Sequence, residues 1–386
     1  MSNNIEGVVV SKDCCGCENC FNVCPQKAIT ISHDAEGFIY PSINKSKCID
    51  CGLCIKKCPI INVNNVSIGK HNIDSFSCYQ KEQSDLLASS SGGLGYGLML
   101  YGITNGIHTF GVRYSNDFCS ASYEEIMSLE QINRFRGSKY IQAHKNGVFK
   151  TIKNYLNEQK KCLFIGLPCE VGALKCFLGT DLPNLFTVEL ICHGPTSEKA
   201  LSEFLHSISK NKAFITSLNL RSKKKGWTPP YLKVTFSDGG FFSKLFDLTS
   251  FGYAFRNFSR PSCYNCKYKG DSKCADLTIG DYWGARKNDK CWNSDGVSVC
   301  FVHTDKGKYL FDLLRDSMAI FPLTYKEAIC GNSHLFKSRS KGKRDAYANS
   351  FLCGGIECAK KENETFKEKV IDFLWGIKWS IVKNKH

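Results

Sequence analysis

Short apolar runs of strand length alternate along this chain with polar stretches of helical period. Residues 162–166 (C-L-F-I-G) and 186–191 (F-T-V-E-L-I) read as strands, and each leads through a loop into a helix, at 170–178 and 196–208. Apolar strands alternating with helices predict a parallel sheet. Upstream, 75–79, 106–114 and 118–123 read as further strands, and 94–103 and 148–159 as helices. Downstream, 218–221 and 231–237 read as antiparallel strands, with Ser237-Asp238-Gly239-Gly240 as a turn. The segment 366–386 carries a helical stripe of Phe366, Val370, Phe373, Leu374, Ile377 and Ile381, widened by Trp375 and Trp379 and edged with lysines. Docking on the protein's own body is the ordinary fate of such a stripe. Peripheral contact with an anionic membrane is the alternative, because basic residues beside tryptophan favour the interface.

The first sixty residues follow neither period. They read C-C-G-C-E-N-C-F-N-V-C-P and then C-I-D-C-G-L-C-I-K-K-C-P, each containing the bacterial iron-sulfur run C-x2-C-x2-C-x3-C-P. In tandem runs the fourth cysteine of each binds the other run's cluster. Cys14, Cys17, Cys20 and Cys58 are thus expected to hold one 4Fe-4S cluster, and Cys48, Cys51, Cys54 and Cys24 the second. Two identical runs, each closed by proline, exclude a structural zinc or disulfide reading. Cys15 falls outside the spacing and reads as a small residue in a turn.

With 386 residues and 42% hydrophobic side chains the chain can bury more than one domain's core. It has 23 cysteines, an odd number, and no charged segment followed by a long apolar core at its start. A secreted disulfide scaffold is therefore excluded and a reducing cytoplasm expected. No apolar run reaches the roughly 18 residues that cross a bilayer. The net charge of +15 counts every cysteine as neutral, and thiolate-bound clusters remove part of it. Two basic runs remain, Arg221 to Lys225 and Lys337 to Arg344, which read as solvated loops or as docking surfaces for an acidic redox carrier or an anionic substrate. Neither is accompanied by a base-stacking module or a helix-turn-helix, so nucleic acid is not an expected partner.

Ser89-Ser90-Ser91-Gly92-Gly93 precedes the 94–103 helix, where small hydroxyl and glycine residues would supply a cap and amides for a phosphate. Arg136-Gly137-Ser138-Lys139-Tyr140-Ile141 mixes basic, small and aromatic residues in a way that suits a phosphate beside a flat ring. No G-x-G-x-x-G is present, which argues against direct nicotinamide binding. Cys169 and Cys192 lie in strand-to-helix loops, which gather outside the carboxyl ends of parallel strands. Cys263-x2-Cys266 lacks two ligands for a third cluster, and Cys169 with Cys192 could supply them, with Cys274 as the competing candidate.

Taken in order, Ser91-Gly92-Gly93, Gly137-Ser138-Lys139-Tyr140, Gly166-Leu167-Pro168-Cys169, Cys192-His193-Gly194, the 260–266 segment R-P-S-C-Y-N-C and the 276–284 segment resemble the family of coenzyme F420 hydrogenase/dehydrogenase beta subunits, in its bacterial form with an N-terminal two-cluster ferredoxin domain. The resemblance implies a fold of α+β and α/β type, with that ferredoxin domain followed by a mixed α/β flavin-binding domain. It implies 1–70 as the ferredoxin domain, 71–212 and 213–345 as the two parts of an FAD-binding region, and 346–386 as a basic amphipathic tail. FAD would be lined by Ser91, Gly92, Gly93, Gly137, Ser138, Lys139, Tyr140 and Asp281, and a third 4Fe-4S cluster held by Cys263 and Cys266 with Cys169 and Cys192. Glu170 replaces a frequent glutamine, and Cys274 stands where arginine is common. The expected function is an iron-sulfur flavoenzyme passing electrons between a reduced carrier and an organic substrate, a small molecule or a glycan precursor. The alternative is a non-catalytic electron-transfer subunit that docks to a partner oxidoreductase. His193 and Lys139 are candidate proton donors, and no catalytic residue is assigned.

Overall fold

The computed structural model describes residues 3–68, 73–209, 213–270 and 273–383, with side chains described as far as residue 374 in the last segment. Its N-terminal hairpin pairs β1 (Ile29–His33) antiparallel with β2 (Ile39–Ile43). The body is an eight-stranded sheet whose order interleaves early and late chain: β13 (Met318–Leu323), β3 (Asp74–Gln80), β12 (Ser298–Val302), β11 (Leu277–Asp281), β7 (Leu185–Leu190), β6 (Cys162–Gly166), β4 (His108–Tyr114) and β5 (Ala121–Glu125). Between β7 and β11 the chain leaves this sheet to build a small antiparallel one from β8 (Ile215–Ser222), β9 (Tyr231–Phe236) and β10 (Phe241–Leu245).

The parallel sheet expected from the alternation is present only at the centre. β4, β6, β7 and β11 run parallel, while β5 on one side and β12, β3 and β13 on the other are antiparallel. Strand β6 shows why the parallel core formed. Cys162 and Phe164 face one hydrophobic cluster, which the helices Val148–Asn157, Pro168–Leu178 and Glu198–Ile208 cover. Leu163 and Ile165 face the opposite cluster, which the helices Leu94–Thr104 and Asp305–Asp312 cover. A strand buried on both faces reads as a continuous apolar run, which is what the sequence displays there.

Two local expectations shift. The strand expected at 118–123 begins at Ala121, because 115–120 forms a turn in which Asp117 accepts from Ser115 Oγ and Cys119 N. The Leu94–Thr104 helix is not capped by a serine hydroxyl. Its N-cap is Gly93 in the left-handed region at φ +85, and the serines before it are engaged elsewhere. The tail is helical from Phe366 to Lys383, tied down by Asp372 to Lys360 and Lys244. In the described part of its apolar stripe Phe366, Phe373 and Leu374 are exposed, so these three do not pack on the protein's own body. Trp375, Ile377, Trp379 and Ile381 lie outside the residues whose side chains are described. Among the described residues no helix is long and apolar enough to cross a membrane.

Candidate functional site

The two cysteine runs fold into matching loops. In the first, Gly16 (φ +67) and Glu18 (φ +62) adopt left-handed backbone, and in the second Asp50 (φ +49) and Gly52 (φ +73) do so at the same two positions. Each run thereby curls back on itself before a one-turn helix, Asn19–Val23 or Leu53–Lys56. Only one of the two strained positions in each run is glycine, so the repeat is conformational where the residues differ. The loops enclose two small cavities. Cys14, Cys17, Cys20 and Cys58 line one, and Cys24, Cys48, Cys51 and Cys54 line the other. The grouping is the crossed one expected from the spacing.

The donor chemistry fits clusters. Burial and the charges of Cys14 and Cys58 push the Cys20 thiol well up, a repulsion that a cation resolves when thiolates bind it. Backbone amides of Gly16 and Ala28 point at Cys14 Sγ (3.4 Å) and Cys24 Sγ (3.3 Å), the hydrogen bonds that tune cluster potentials.

A third group of thiols gathers where the hairpin module meets the sheet. Burial and the charges of Cys192, Cys169 and Cys266 all raise the Cys263 thiol, so these four lie within mutual electrostatic reach. Gly194, at φ +103, stands so close to Cys263 that a Cβ there would come within 3.4 Å of its Sγ. Gly194 N also points at Cys192 Sγ at 3.3 Å. Burial pushes the Cys192 thiol up to about 12. Cys274 is turned aside, its thiol donating to Pro168 O and Glu189 Oε2. Cys15 has more than the small-residue part expected of it, since its thiol lies within hydrogen-bond reach of both Cys17 and Cys169.

Arg260 clamps this junction. Only 1% exposed, its guanidinium donates to Cys14 O (2.6 Å), Gln142 Oε1 (2.7 Å) and Ile39 O (2.7 Å) and stacks over Tyr40. Gln142 Nε2 in turn donates to Cys15 O at 2.7 Å. The sequence placed Arg260 only within a motif. Its position directly before Pro261 and the C-x2-C was the available signal.

At the carboxyl ends of β6, β7 and β11 opens a cavity of about 650 Å³. Ser91, Gly93, Gly137, Ser138, Lys139, Tyr140 and Asp281 line it, and so do Cys192, His193 and Gly194 from the third cysteine group. Gly92 sits behind that wall, packed against the Cys78 carbonyl and Ser298 N. Ser90 Oγ accepts from Ser138 N (3.0 Å), joining the two loops, while Ser91 Oγ donates to Val297 O. Asp281 is held by Arg221 (2.6 Å) and by Trp227 Nε1 (3.0 Å), and the Trp227 ring stacks on Trp283. Arg221 and Lys223 are buried, against the solvated loop expected for 221–225, whereas Lys224 and Lys225 are exposed. Likewise Arg344 of the second basic run is buried on Glu36.

The two candidate proton donors have unusual surroundings. Burial brings Lys139 down to about 7, with Nζ donating to Phe135 O and Arg136 O. Burial and the charges of Arg339, His334 and Lys269 bring His193 down to about 3, so its imidazole is neutral. Among the described residues His193 Nδ1 and Arg136 Nε are buried without a hydrogen-bond partner, and both residues line the cavity. Polar atoms left so at a large cavity are what a polar ligand would satisfy.

Residues 159–321 match the family described as the C terminus of the coenzyme F420 hydrogenase/dehydrogenase beta chain, and residues 13–61 match the 4Fe-4S dicluster domain. The chain is similar to the F component of the F(420)H(2) dehydrogenase of Methanosarcina mazei, 22% identical over 336 residues that cover 83% of this chain and 87% of that protein. Over 69 residues, 16% of this chain and 41% of the other, it is 38% identical to an uncharacterized polyferredoxin-like protein of Methanocaldococcus jannaschii. One protein of the F420-reducing [NiFe] hydrogenase complex from Methanosarcina barkeri aligns with a TM-score of 0.46 at 18% identity, covering 75% of this chain and 90% of that one. The chain thus carries a 4Fe-4S dicluster domain at 13–61 and, at 159–321, the C-terminal domain of the coenzyme F420 hydrogenase/dehydrogenase beta subunits, and its similarities support that family.

Proposed function

We propose that the chain is a cytoplasmic iron-sulfur flavoprotein oxidoreductase, moving electrons between a reduced carrier, ferredoxin or an F420-like coenzyme, and an organic substrate. The observation that carries the reading is a shared wall. Cys192, His193 and Gly194 belong both to the third cysteine group and to the lining of the 650 Å³ cavity, within the size range of cofactor sites. Cys169, Cys192, Cys263 and Cys266 would hold a third 4Fe-4S cluster between the dicluster domain and the cavity. FAD, when bound there, supplies the exchange between single electrons and electron pairs or hydride.

The chain's own groups then have definite tasks. Ser90, Ser138 and the amides around Gly93 and Gly137 line a pocket for phosphate, while Tyr96, Tyr140 and Trp283 offer faces to flat rings. Asp281, fixed by Arg221 and Trp227, presents a carboxylate of set orientation. Lys139 can hold or release a proton near neutral pH. Neutral His193 can accept a hydrogen bond or donate one through Nδ1.

Anaerobic purification followed by iron, sulfide and flavin analysis tests the reading. About twelve irons and one flavin per chain are expected, at four irons per cluster. Full iron loading without any flavin, even after reconstitution with FAD, overturns it. The similarity to one component of a dehydrogenase favours a second reading, an electron-transfer subunit that docks to a partner oxidoreductase. The outward stripe Phe366, Phe373 and Leu374 would then meet the partner. Turnover by the isolated chain, with F420-like, ferredoxin and glycan-precursor substrates each tried, separates the two.

A further inference from the structure

A buried carboxylate faced by two imidazoles lies where the dicluster domain meets the body, and none of the three residues lines the cysteine cavities or the large cavity. His33 is the last residue of β1, and Glu198 is the first residue of the Glu198–Ile208 helix. His144 is fixed against β5 by backbone bonds in both directions, His144 N to Ala121 O and Tyr123 N to His144 O. His33 Nε2 stands 2.9 Å from Glu198 Oε2, and His144 Nε2 stands 3.3 Å from the same oxygen and 3.1 Å from Oε1. One ligand atom from each of the three residues lies within 4.8 Å of the others. Glu198 Oε1 is buried with no donor at a hydrogen-bonding angle.

We propose that His33, His144 and Glu198 form a binding site for one divalent first-row transition-metal ion, zinc being the representative, which pins the dicluster domain to the body. Three features of the geometry carry this. Metal ligation by imidazole nitrogen and carboxylate oxygen occurs at about 2.0–2.2 Å, so ligand atoms on one tetrahedral ion sit about 3.3–3.6 Å apart. The nitrogen-to-oxygen separations here are already close to that. Second, His144 Nδ1 faces Glu18 Oε1 at 3.7 Å, and that oxygen is itself fixed by Lys145 N at 3.1 Å. A carboxylate behind a ligating histidine sets its tautomer and leaves Nε2 free for the metal. Third, the His33 side chain is 44% exposed while that of Glu198 is 11% exposed, so the site has a buried base and an open side for entry and a water ligand.

The site also explains the placement of its donors. His33 comes from the hairpin module and the other two from the body, so an ion there would add a cross-link to a junction whose contacts include Arg260 on Cys14 O, Asn19 on Ala173 O and Lys199 on Ala35 O. The inference is independent of what fills the large cavity.

The test uses the full chain with its iron-sulfur clusters reconstituted, titrated with zinc without oxygen. Bound zinc is counted by metal analysis, and its neighbours are read by X-ray absorption, which separates nitrogen and oxygen ligands from cysteine sulfur at about 2.3 Å. Wild type should bind one zinc per chain in a nitrogen and oxygen environment with two imidazoles. His33→Asn, a substitution at a half-exposed position, should weaken that zinc at least 10-fold with iron content unchanged, and Glu18→Gln should weaken it about 10-fold by loosening the carboxylate contact behind His144. No zinc in nitrogen and oxygen coordination, or equal binding by His33→Asn, overturns the proposal and leaves a hydrogen-bonded His-Glu-His triad.

Discussion

Replacing Arg260 with methionine keeps the length of the side chain and deletes its donors, which should loosen the dicluster domain from the body. Three acceptors lose their partner, the carbonyls of Cys14 and Ile39 and the amide oxygen of Gln142, at distances of 2.6, 2.7 and 2.7 Å. Hydrogen bonds to a charged group contribute about 1.5–3 kcal/mol each, giving a gross loss of about 4–9 kcal/mol. Relief from burying a guanidinium offsets part of this, and the bonds share one donor and are not additive. A net cost of about 3–5 kcal/mol remains, in line with removing one member of a buried charged network. That is a large fraction of the roughly 5–15 kcal/mol that holds a domain folded. The assay is urea unfolding of the reconstituted protein, followed by cluster absorbance and by limited proteolysis at the module junction. Arg260→Met should bleach at lower urea and become cleavable where the dicluster domain joins the body. Stability within about 1 kcal/mol of wild type, with proteolysis unchanged, would refute the clamp.

Three further outcomes follow from the geometry. Cys58→Ser should remove about four irons and expose Cys14, Cys17 and Cys20 to alkylation while Cys24, Cys48, Cys51 and Cys54 stay protected, because Cys58 shares the first cavity although it lies in the second run. Gly92→Ala should cost about 1–3 kcal/mol and reduce flavin retention with iron unchanged, since the added methyl meets the Cys78 carbonyl and Ser298 N, both fixed in the sheet; thermal midpoint and flavin content check it. Burial lowers Lys139 to about 7 from an unfolded value near 10.5, so between those pH values the unfolded chain binds more protons and wild-type stability rises with pH relative to Lys139→Met. Urea midpoints of the two proteins at pH 6.5 and 9 measure the gap, and an unchanged gap would mean that Lys139 is not desolvated.

The two cysteine groups of the dicluster domain were legible because cluster ligation is written in covalent spacing, which survives any fold. The central strand β6 was legible for a related reason, since two-sided burial makes it a continuous apolar run. Strands β12 and β13 were not read at all. Their places depend on β3, which lies between them in the sheet although more than 200 residues earlier in the chain, and nothing local encodes such a pairing. Pro322 in β13 also argues against a strand, but β13 is an edge, where a missing amide costs no ladder bond. The burial of Arg221 and Lys223 rests on partners distant in the chain, Arg221 on Asp281 and Lys223 Nζ on Leu86 O and Ser91 O, which a run of charge does not reveal.

Cys15 shows most directly how a spacing argument runs out. It belongs to no ligand set of the dicluster run, yet its thiol reaches Cys17 on one side and Cys169 on the other. Cys169 lies in the first turn of the Pro168–Leu178 helix, where amide dipoles favour negative charge. Gln142 and Arg260 hold the Cys14–Gly16 backbone at that helix end, through Cys14 O, Cys15 O and Gly16 O. The junction between the dicluster domain and the third cysteine group is therefore specified by side chains that bind no iron. Cys15 lines the first cavity, Cys192 lines the large one, and Cys169 is within electrostatic reach of both. The polar network that fixes Cys15 thus sets how the first cysteine group meets the third, and it does so through backbone carbonyls, which leave no signature in residue type.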